Sequence, residues 1–117
     1  DSNGYILTNN HVIASVGNGN GAIRVTLNNG DIYSATIIGR DASYDLAVIK
    51  ISATNLPALE FGDSDKVAVG DSVIAIGSPL GLSGTVTLGI ISAKDRPVTA
   101  GDSGSGSSFI NALILYC

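Results

Sequence analysis

The sequence has 117 residues, 6 of them basic and 10 acidic, which gives a formal charge of −4. This balance argues against binding to nucleic acid or to an anionic membrane surface, and no apolar run is long enough for a transmembrane helix. With 15 glycines and 44% hydrophobic residues, the composition is typical of short strands joined by many turns. The sequence contains no methionine, so we expect a processed product or an internal piece of a longer chain.

The first half of the chain is predicted to be a series of strands. Apolar or alternating segments predict strands at 5–9, 23–27, 32–39 and 46–51. A loop rich in Gly and Asn is predicted at 15–21. Asn-Asn-Gly-Asp at 28–31 predicts a hairpin turn, because an Asn-Gly step favours the left-handed backbone that tight turns require.

The second half continues the same pattern after an irregular stretch. Residues 52–64 contain Pro57 and Gly62 and are interpreted as a connection between two halves. Three further strands are predicted, at 67–77, 84–93 and 109–116. A polar loop rich in Gly and Ser is predicted at 94–108. Since no window shows a helical period, we expect an all-β barrel or sandwich.

His11 is the one histidine of the sequence and the first candidate for acid–base chemistry near neutral pH. As a base it would need a carboxylate to fix its tautomer and a hydroxyl or thiol to activate. His11 comes just after a predicted strand and Asp45 just before one, and catalytic groups commonly lie at such strand ends. Spacing alone leaves open a structural or surface role for His11 and a turn-forming role for Asp45.

Four ordered segments resemble the HtrA/Deg family of chymotrypsin-fold serine proteases. They are TNNHV at 8–12, DLAVIKI at 45–51, FGDSDKVAVGDSVIAIGSPLGL at 61–82 and GTVTLGIISAKDRP at 84–97. The resemblance covers the chain from Gly4 to about Leu113. It implies an all-β, trypsin-like double β-barrel in which the first barrel is nearly complete and the second only partial. The implied domains are 1–65 for the first barrel and 66–117 for the second.

The resemblance also implies roles for two residues and the absence of a third. His11 matches the general base, and Asp45 matches the carboxylate that orients its imidazole. The family's nucleophile lies in a Gly-Asn-Ser-Gly-Gly segment, after a stretch similar to Ile110–Leu113. Here the sequence continues as Ile-Leu-Tyr-Cys at 114–117, without that segment or the oxyanion hole formed beside it. The resemblance therefore implies a chain that is inactive as it stands.

Ser103 is the alternative nucleophile, since Gly-Asp-Ser-Gly at 101–104 resembles the serine motif of trypsin-type enzymes. Three features count against it. Ser105 replaces the second glycine, the motif precedes residues 110–113 instead of following them, and it lies in a run of Gly and Ser where such a tetrapeptide arises by composition. We interpret the segment as a flexible surface loop, which in the family corresponds to a regulatory loop.

Other motifs are given structural interpretations. The turn at 77–81 matches the family and is expected to close a barrel strand, although it could also shape substrate access. Asp63, Asp65 and Asp71 lack the spacing of a calcium loop and are expected in solvated turns. Cys117 has no second cysteine for a disulfide or metal site and is expected to be an incidental thiol. No metal or other cofactor is therefore predicted.

The resemblance implies a serine endopeptidase that cleaves unfolded or misfolded proteins outside the cytoplasm, in the periplasm or at the bacterial cell surface. Full-length family members are often homotrimers with a PDZ domain. No nucleic-acid partner and no membrane insertion are expected for this segment. The alternative is a non-catalytic β domain that binds extended peptides, or assembles, by strand addition at an open sheet edge. Such edges also predict a marginally stable or aggregation-prone chain.

Overall fold

The structure is a computed structural model that describes residues 1–16, 23–77, 84–100 and 108–116. The described strands are β1 (Tyr5–Thr8), β2 (Ile23–Thr26), β3 (Ile32–Asp41), β4 (Leu46–Ile51), β5 (Ser72–Gly77), β6 (Thr85–Ala100) and β7 (Ser108–Tyr116). One short helix, α1 (Asn10–Ile13), and two 3-10 turns, Ala14–Val16 and Ser64–Lys66, complete the described elements. The chain divides into two compact units, the first built mainly on residues 1–60 and the second on 61–99 together with the segment from residue 109.

The first unit is a curled antiparallel sheet with the strand order β1-β4-β3-β2. β4 lies inside this sheet, where Ile49 faces Ile6 of β1 on one side and Ile37 of β3 on the other. The order differs from the chain order because β1 pairs with β4 and not with β2. This arrangement brings the end of β1 beside the start of β4.

The core of the first unit lies on one face of β4. Ala47, Ile49 and Ile51 alternate with more exposed residues and are buried, as the two-residue period of a strand requires. Ala35 of β3 and Ile13 of α1 belong to the same cluster. Partly buried side chains that pack against it are Ile6, Ile23, Val25, Leu27, Tyr33, Ile37 and Leu56. Full burial stabilises an isoleucine side chain by about 1.5–3 kcal/mol, so this cluster is a main source of stability.

The hairpin between β2 and β3 forms at the predicted Asn-Gly step. Leu27 N donates to Asp31 O over 2.9 Å, and Gly30 N donates to Leu27 O over 2.9 Å. Gly30 has φ +89°, in the left-handed region that glycine enters without a steric penalty. The hairpin prediction at 28–31 is confirmed.

β3 contains a bulge near its end. The register passes from Ile37 opposite Ile49 to Gly39 opposite Val48, so one extra residue is accommodated in β3. After the bulge, Arg40 faces Ala47 and Asp41 faces Leu46. The bulge therefore shifts which residues of β3 lie beside the start of β4.

The second unit is a sheet with the strand order β5-β6-β7. β5 and β6 are antiparallel, with Ile74 opposite Leu88 and Ile76 opposite Val86. These four side chains lie on one face and are all more than 60% exposed. A sheet with an uncovered apolar face fits the prediction of a second barrel that is only partial, and the all-β prediction is confirmed.

Two strand boundaries predicted in the second half were wrong. β5 begins at Ser72 instead of residue 67, because a tight turn precedes it: Asp71 N donates to Ala68 O over 3.1 Å, and Gly70 has φ +97°. β6 continues to Ala100 instead of ending at residue 93. Its pairing with β5 involves only residues 85–90, and β7 is its second neighbour in the sheet. Of the predicted polar loop at 94–108, residues 101–107 lie outside the described part of the chain.

Gly4 closes the first unit where β1 begins. Its φ is +89°, and its carbonyl accepts a hydrogen bond from Ile51 N over 3.0 Å. A Cβ at this position would lie 2.5 Å from Ile51 O and 2.8 Å from Ala53 O, whereas one at Gly30 would meet nothing within 4 Å. Gly4 thus satisfies both a backbone and a packing requirement, and Gly30 only the first.

We predict that Gly4→Ala destabilises the chain by about 3 kcal/mol or more, because backbone strain adds to the contact with two carbonyl groups. Gly30→Ala, which shares the strain without the contact, is expected to cost about 1–2 kcal/mol. Urea unfolding followed by circular dichroism measures both changes. Equal losses in the two variants would show that the close approach at Gly4 is unimportant.

Candidate active site

His11 is placed by the short helix that follows β1. Ile13, two residues further on, is buried in the core cluster and fixes α1 against the sheet. The His11 side chain itself is 66% exposed, so its imidazole remains accessible to a reacting molecule. An apolar anchor beside a solvent-facing histidine gives a fixed but accessible imidazole.

Asp45 is placed by the turn between β3 and β4. Asp41 Oδ1 accepts hydrogen bonds from Ser43 N over 2.8 Å and from Tyr44 N over 3.3 Å, and Asp45 N approaches Ala42 O at 3.4 Å. An aspartate that caps its own turn in this way favours the tight reversal. Asp45 leaves the turn with φ +54°, an uncommon backbone conformation for a residue with a side chain.

The carboxylate of Asp45 meets His11 at two points. Asp45 Oδ2 lies 2.6 Å from His11 Nδ1, and Asp45 Oδ1 accepts the backbone N–H of His11 over 2.8 Å. The Asp45 side chain is 18% exposed, far less than that of His11. The structure thus brings together the two residues that the sequence proposed as a pair, although they are 34 positions apart.

This contact fixes the chemistry available to the imidazole. An ionised carboxylate can only accept hydrogen bonds, so Nδ1 of His11 must carry the proton that joins the two groups. In the neutral ring the lone pair is then on Nε2, on the opposite side from Asp45. Such an imidazole can accept a proton at Nε2, while the carboxylate stabilises the resulting cation.

The pKa of Asp45 is lowered below its usual value of 3.8. The hydrogen bond from the His11 backbone N–H is the largest cause, and the side-chain hydrogen bond, the charge of His11 and the Asn10 backbone N–H act in the same direction. Partial burial opposes them, because it disfavours the charged form. Asp45 is therefore ionised at neutral pH, as an acceptor for Nδ1 must be.

Two contacts to the main chain of Asp45 were not foreseen from the sequence. Asn9 Nδ2 donates to Asp45 O over 3.0 Å, and Asn10 N donates to the same oxygen over 3.1 Å. The Asn-Asn-His order within TNNHV is the signal in the sequence, but it does not reveal that Asp45 is the acceptor. Three consecutive residues, 9–11, thus contact one distant residue.

Several predicted features lie outside the described residues. Ser103 and Cys117 are among them, as are residues 78–81 of the predicted turn at 77–81. The interpretation of Ser103 as part of a surface loop and its alternative role as nucleophile are therefore both left as predictions. Within the described part of the chain, no group of three or more His, Cys, Asp or Glu residues is arranged to hold a metal ion.

The aspartates at 63–71 contact nearby backbone and side-chain groups. Asp63 accepts a hydrogen bond from Asp65 N over 3.2 Å and forms an ion pair with Lys66 over 3.1 Å. Asp71 Oδ2 accepts from Ala68 N over 2.9 Å. These contacts assign Asp63 and Asp71 to local turns.

In the described residues, no helix has the length and apolar character needed to cross a membrane.

Comparison with known proteins identifies the class of the molecule. A family model described as the trypsin-like peptidase domain matches residues 1–114. The chain therefore belongs to the trypsin-like peptidases, and its relatives and structural neighbours place it in the HtrA/DegP-like family. The family predicted from the four sequence segments is confirmed.

Two curated relatives illustrate the similarity. A Chlamydia pneumoniae protein named as a probable periplasmic serine endoprotease, DegP-like, is 58% identical over 93 residues, which cover 80% of this chain and 18% of that protein. A Haemophilus influenzae protein named as a probable periplasmic serine protease, do/HhoA-like, is 44% identical over 110 residues, covering 93% of this chain and 22% of that protein. The chain thus spans about a fifth of the length of these relatives. Their names support the predicted extracytoplasmic location.

Solved structures show the same fold. The HtrA-type protease AlgW with a tripeptide has a TM-score of 0.78 and 41% identity, over 95% of this chain and 34% of that one. The same protease with a decapeptide gives a TM-score of 0.74 and 48% identity, over 82% of this chain and 28% of that one. These neighbours confirm the prediction of a trypsin-like double-barrel fold.

We predict that Asp45 stabilises the fold at neutral pH and loses this contribution in acid. Because its pKa is lowered from 3.8 in the folded chain, the unfolded chain takes up the proton at a higher pH than the folded one. The free energy of unfolding should therefore fall as the pH drops from about 5 through the lowered pKa. Asp45→Asn does not titrate and tolerates the left-handed backbone, so this part of the pH dependence should disappear.

Urea unfolding at about pH 5, 4 and 3 tests this expectation. Glu60→Gln is the matched control, since Glu60 is an exposed carboxylate outside the site. The difference in pH dependence between Asp45→Asn and Glu60→Gln isolates the effect of the site. An unchanged pH dependence in Asp45→Asn would contradict the role assigned to its charge.

Proposed function

We propose that this chain supplies the base and the orienting carboxylate of an HtrA-like serine endopeptidase that cleaves unfolded or misfolded proteins. The observation that carries the proposal is the 2.6 Å contact between His11 Nδ1 and Asp45 Oδ2 at adjacent strand ends. Two relatives are named as probable serine endoproteases, which supports the same reaction class. The proposed site of action is outside the cytoplasm, because these relatives are named as periplasmic.

In this proposal His11 accepts the proton of a serine hydroxyl at Nε2 while that oxygen attacks the peptide carbonyl carbon. The imidazolium then donates the same proton to the leaving amine. Asp45 does not take the proton; its carboxylate keeps Nδ1 protonated and stabilises the cation. The 66% exposure of the His11 side chain supports this role, since Nε2 must reach both the serine and the substrate.

We infer that the 117-residue chain by itself does not cleave peptides. Its sequence contains no Gly-Asn-Ser-Gly-Gly segment, which in the family provides both the nucleophile and the oxyanion hole. Loss of one oxyanion donor alone typically costs about 2.7–4 kcal/mol of transition-state stabilisation. A His–Asp pair without a nucleophile retains the base but has no acyl acceptor to activate.

We propose residues 1–65 as the first barrel domain and residues 66–117 as part of the second. The proposed substrates are unfolded polypeptides, bound without a metal or other cofactor. Homotrimer formation and a PDZ domain are properties that the family resemblance implies for the longer protein. Nucleic acid is not among the proposed partners.

One observation favours a non-catalytic alternative. In the described sheets, β1 and β2 are the edge strands of the first unit, and β5 is an edge of the second. An extended peptide can add to such an edge through main-chain hydrogen bonds. In this alternative the His11–Asp45 pair is a structural remnant, and the chain binds peptides without cleaving them.

Labelling with a fluorophosphonate serine probe, followed by intact mass spectrometry, separates these possibilities. We predict no adduct on the 117-residue chain and one adduct on the heavier natural protein isolated from its source cells. An adduct on the 117-residue chain that is lost in Ser103→Ala would make Ser103 the nucleophile and overturn our assignment. No adduct on either form would favour the non-catalytic alternative.

The role of His11 is tested in the natural protein with the substitution His11→Ala. Without the base, we expect the labelling rate to fall by about 10³-fold or more. Asn10→Ala is the matched control, because it keeps the backbone N–H that contacts Asp45. If His11→Ala and Asn10→Ala were both labelled at a rate similar to that of the unmodified protein, His11 would not be the base.

A further inference from the structure

Asn9 precedes α1, but its side chain does not cap this helix. Asparagine at the N-cap usually accepts a backbone N–H from the first turn through its side-chain oxygen. No such side-chain bond forms here. Instead, Asn9 Nδ2 donates to the main-chain oxygen of Asp45 over 3.0 Å, across 36 residues of sequence. The amide is therefore committed to the loop that carries Asp45.

The Asp45 main chain needs such support. Its φ of +54° is in the left-handed region, where Cβ crowds the carbonyl group, although aspartate tolerates this region better than most other residues. Asn9 Nδ2 and Asn10 N both donate to the Asp45 carbonyl, at 3.0 and 3.1 Å. Of these two donors, only the one from Asn9 belongs to a side chain and so depends on residue type.

The orientation of this main chain also sets the direction of the carboxylate. Asp45 Oδ1 and Oδ2 contact the backbone N–H and Nδ1 of His11 at 2.8 and 2.6 Å. A rotation of the Asp45 backbone toward an ordinary conformation would carry both oxygens away from these partners. Holding the carbonyl therefore holds the carboxylate.

We propose that Asn9 is a positioning residue for the His11–Asp45 pair. Its amide fixes the left-handed backbone of Asp45, and that backbone aims the carboxylate at Nδ1 of His11. Asn9 acts through Asp45 and does not touch the substrate. The relevance of this positioning to catalysis rests on the proposed function, whereas its effect on the imidazole does not.

The test is nitrogen-15 NMR of the imidazole in the full 117-residue chain at about pH 9, where an ordinary histidine is neutral. The chain contains one histidine, so the ring signals need no assignment. In the unmodified chain we expect the tautomer with the proton on Nδ1 to predominate. Asn9→Ala should lower the ratio of the Nδ1–H to the Nε2–H tautomer by about fivefold, the typical effect of losing one hydrogen bond.

Two further variants make the result specific. Asn9→Asp preserves the size of the side chain and its N-cap preference but removes the N–H donor, so it should lower the ratio as Asn9→Ala does. If Asn9→Ala does not fold, Asn9→Asp decides the question. Asn10→Ala should keep the tautomer ratio of the unmodified chain, because the backbone N–H of residue 10 remains.

Folded Asn9→Ala or Asn9→Asp chains with an unchanged tautomer ratio would overturn the inference. An equal fall in Asn10→Ala would also overturn it, since general loosening of α1 would then explain the change. Failure of the proposed function looks different: the natural protein would not react with the fluorophosphonate probe, while the tautomer ratio would still respond to Asn9. The two failures are therefore distinguishable.

Discussion

The double hydrogen bond between the Asp45 carboxylate and His11 is the interaction on which the site depends. One oxygen contacts the backbone N–H and the other contacts the ring, at 2.8 and 2.6 Å. A single contact would leave the ring free to rotate, whereas two contacts to one residue define the position of the carboxylate plane relative to the helix. The pairing of β1 with β4 makes this geometry possible, since it brings the strand ends that carry both residues to the same edge.

Stability and exposure are divided between neighbouring residues at this edge. Ile13 and Ala47 are buried, and each lies two residues after a member of the pair. Burial of these neighbours fixes the backbone of α1 and of the start of β4. The His11 side chain can therefore face solvent while its backbone is held in place. A buried imidazole would be better ordered by its surroundings but closed to solvent. Here the apolar contacts are made by Ile13 and Ala47, and the imidazole stays exposed.

Much of this architecture could be predicted from the sequence. The alternation at 46–51 and the Asn-Gly step before β3 identify local structure, because strand period and turn chemistry are encoded by neighbouring residues. The start of β5 was wrong, since Val67–Val69 is as apolar as a strand but is followed by a turn at Gly70. The extension of β6 through Lys94 was missed because pairing with a distant strand outweighs a polar composition.

The contact between His11 and Asp45 was expected from the sequence, but the contacts that support it were not. His11 and Asp45 were found from their ordered motifs, whereas their contact crosses 34 residues and depends on strand order. The left-handed backbone of Asp45 has no distinct local signal, because aspartate enters this region more often than most residues but still only in a minority of cases. The acceptor for Asn9 is likewise a long-range partner, which composition and spacing do not specify.

The bulge between Ile37 and Gly39 has a consequence for how the gene can vary. A single-residue insertion or deletion in a strand normally turns every following side chain to the opposite face. Here β3 already accommodates an irregular residue, so a length change at the bulge can be absorbed before the turn at 41–45. The register of the residues that follow the bulge, Gly39 to Asp41, against β4 would be unaffected. Insertions and deletions in this sheet are therefore best tolerated at the bulge, a few residues before Asp45, where β3 has already lost its strict two-residue repeat.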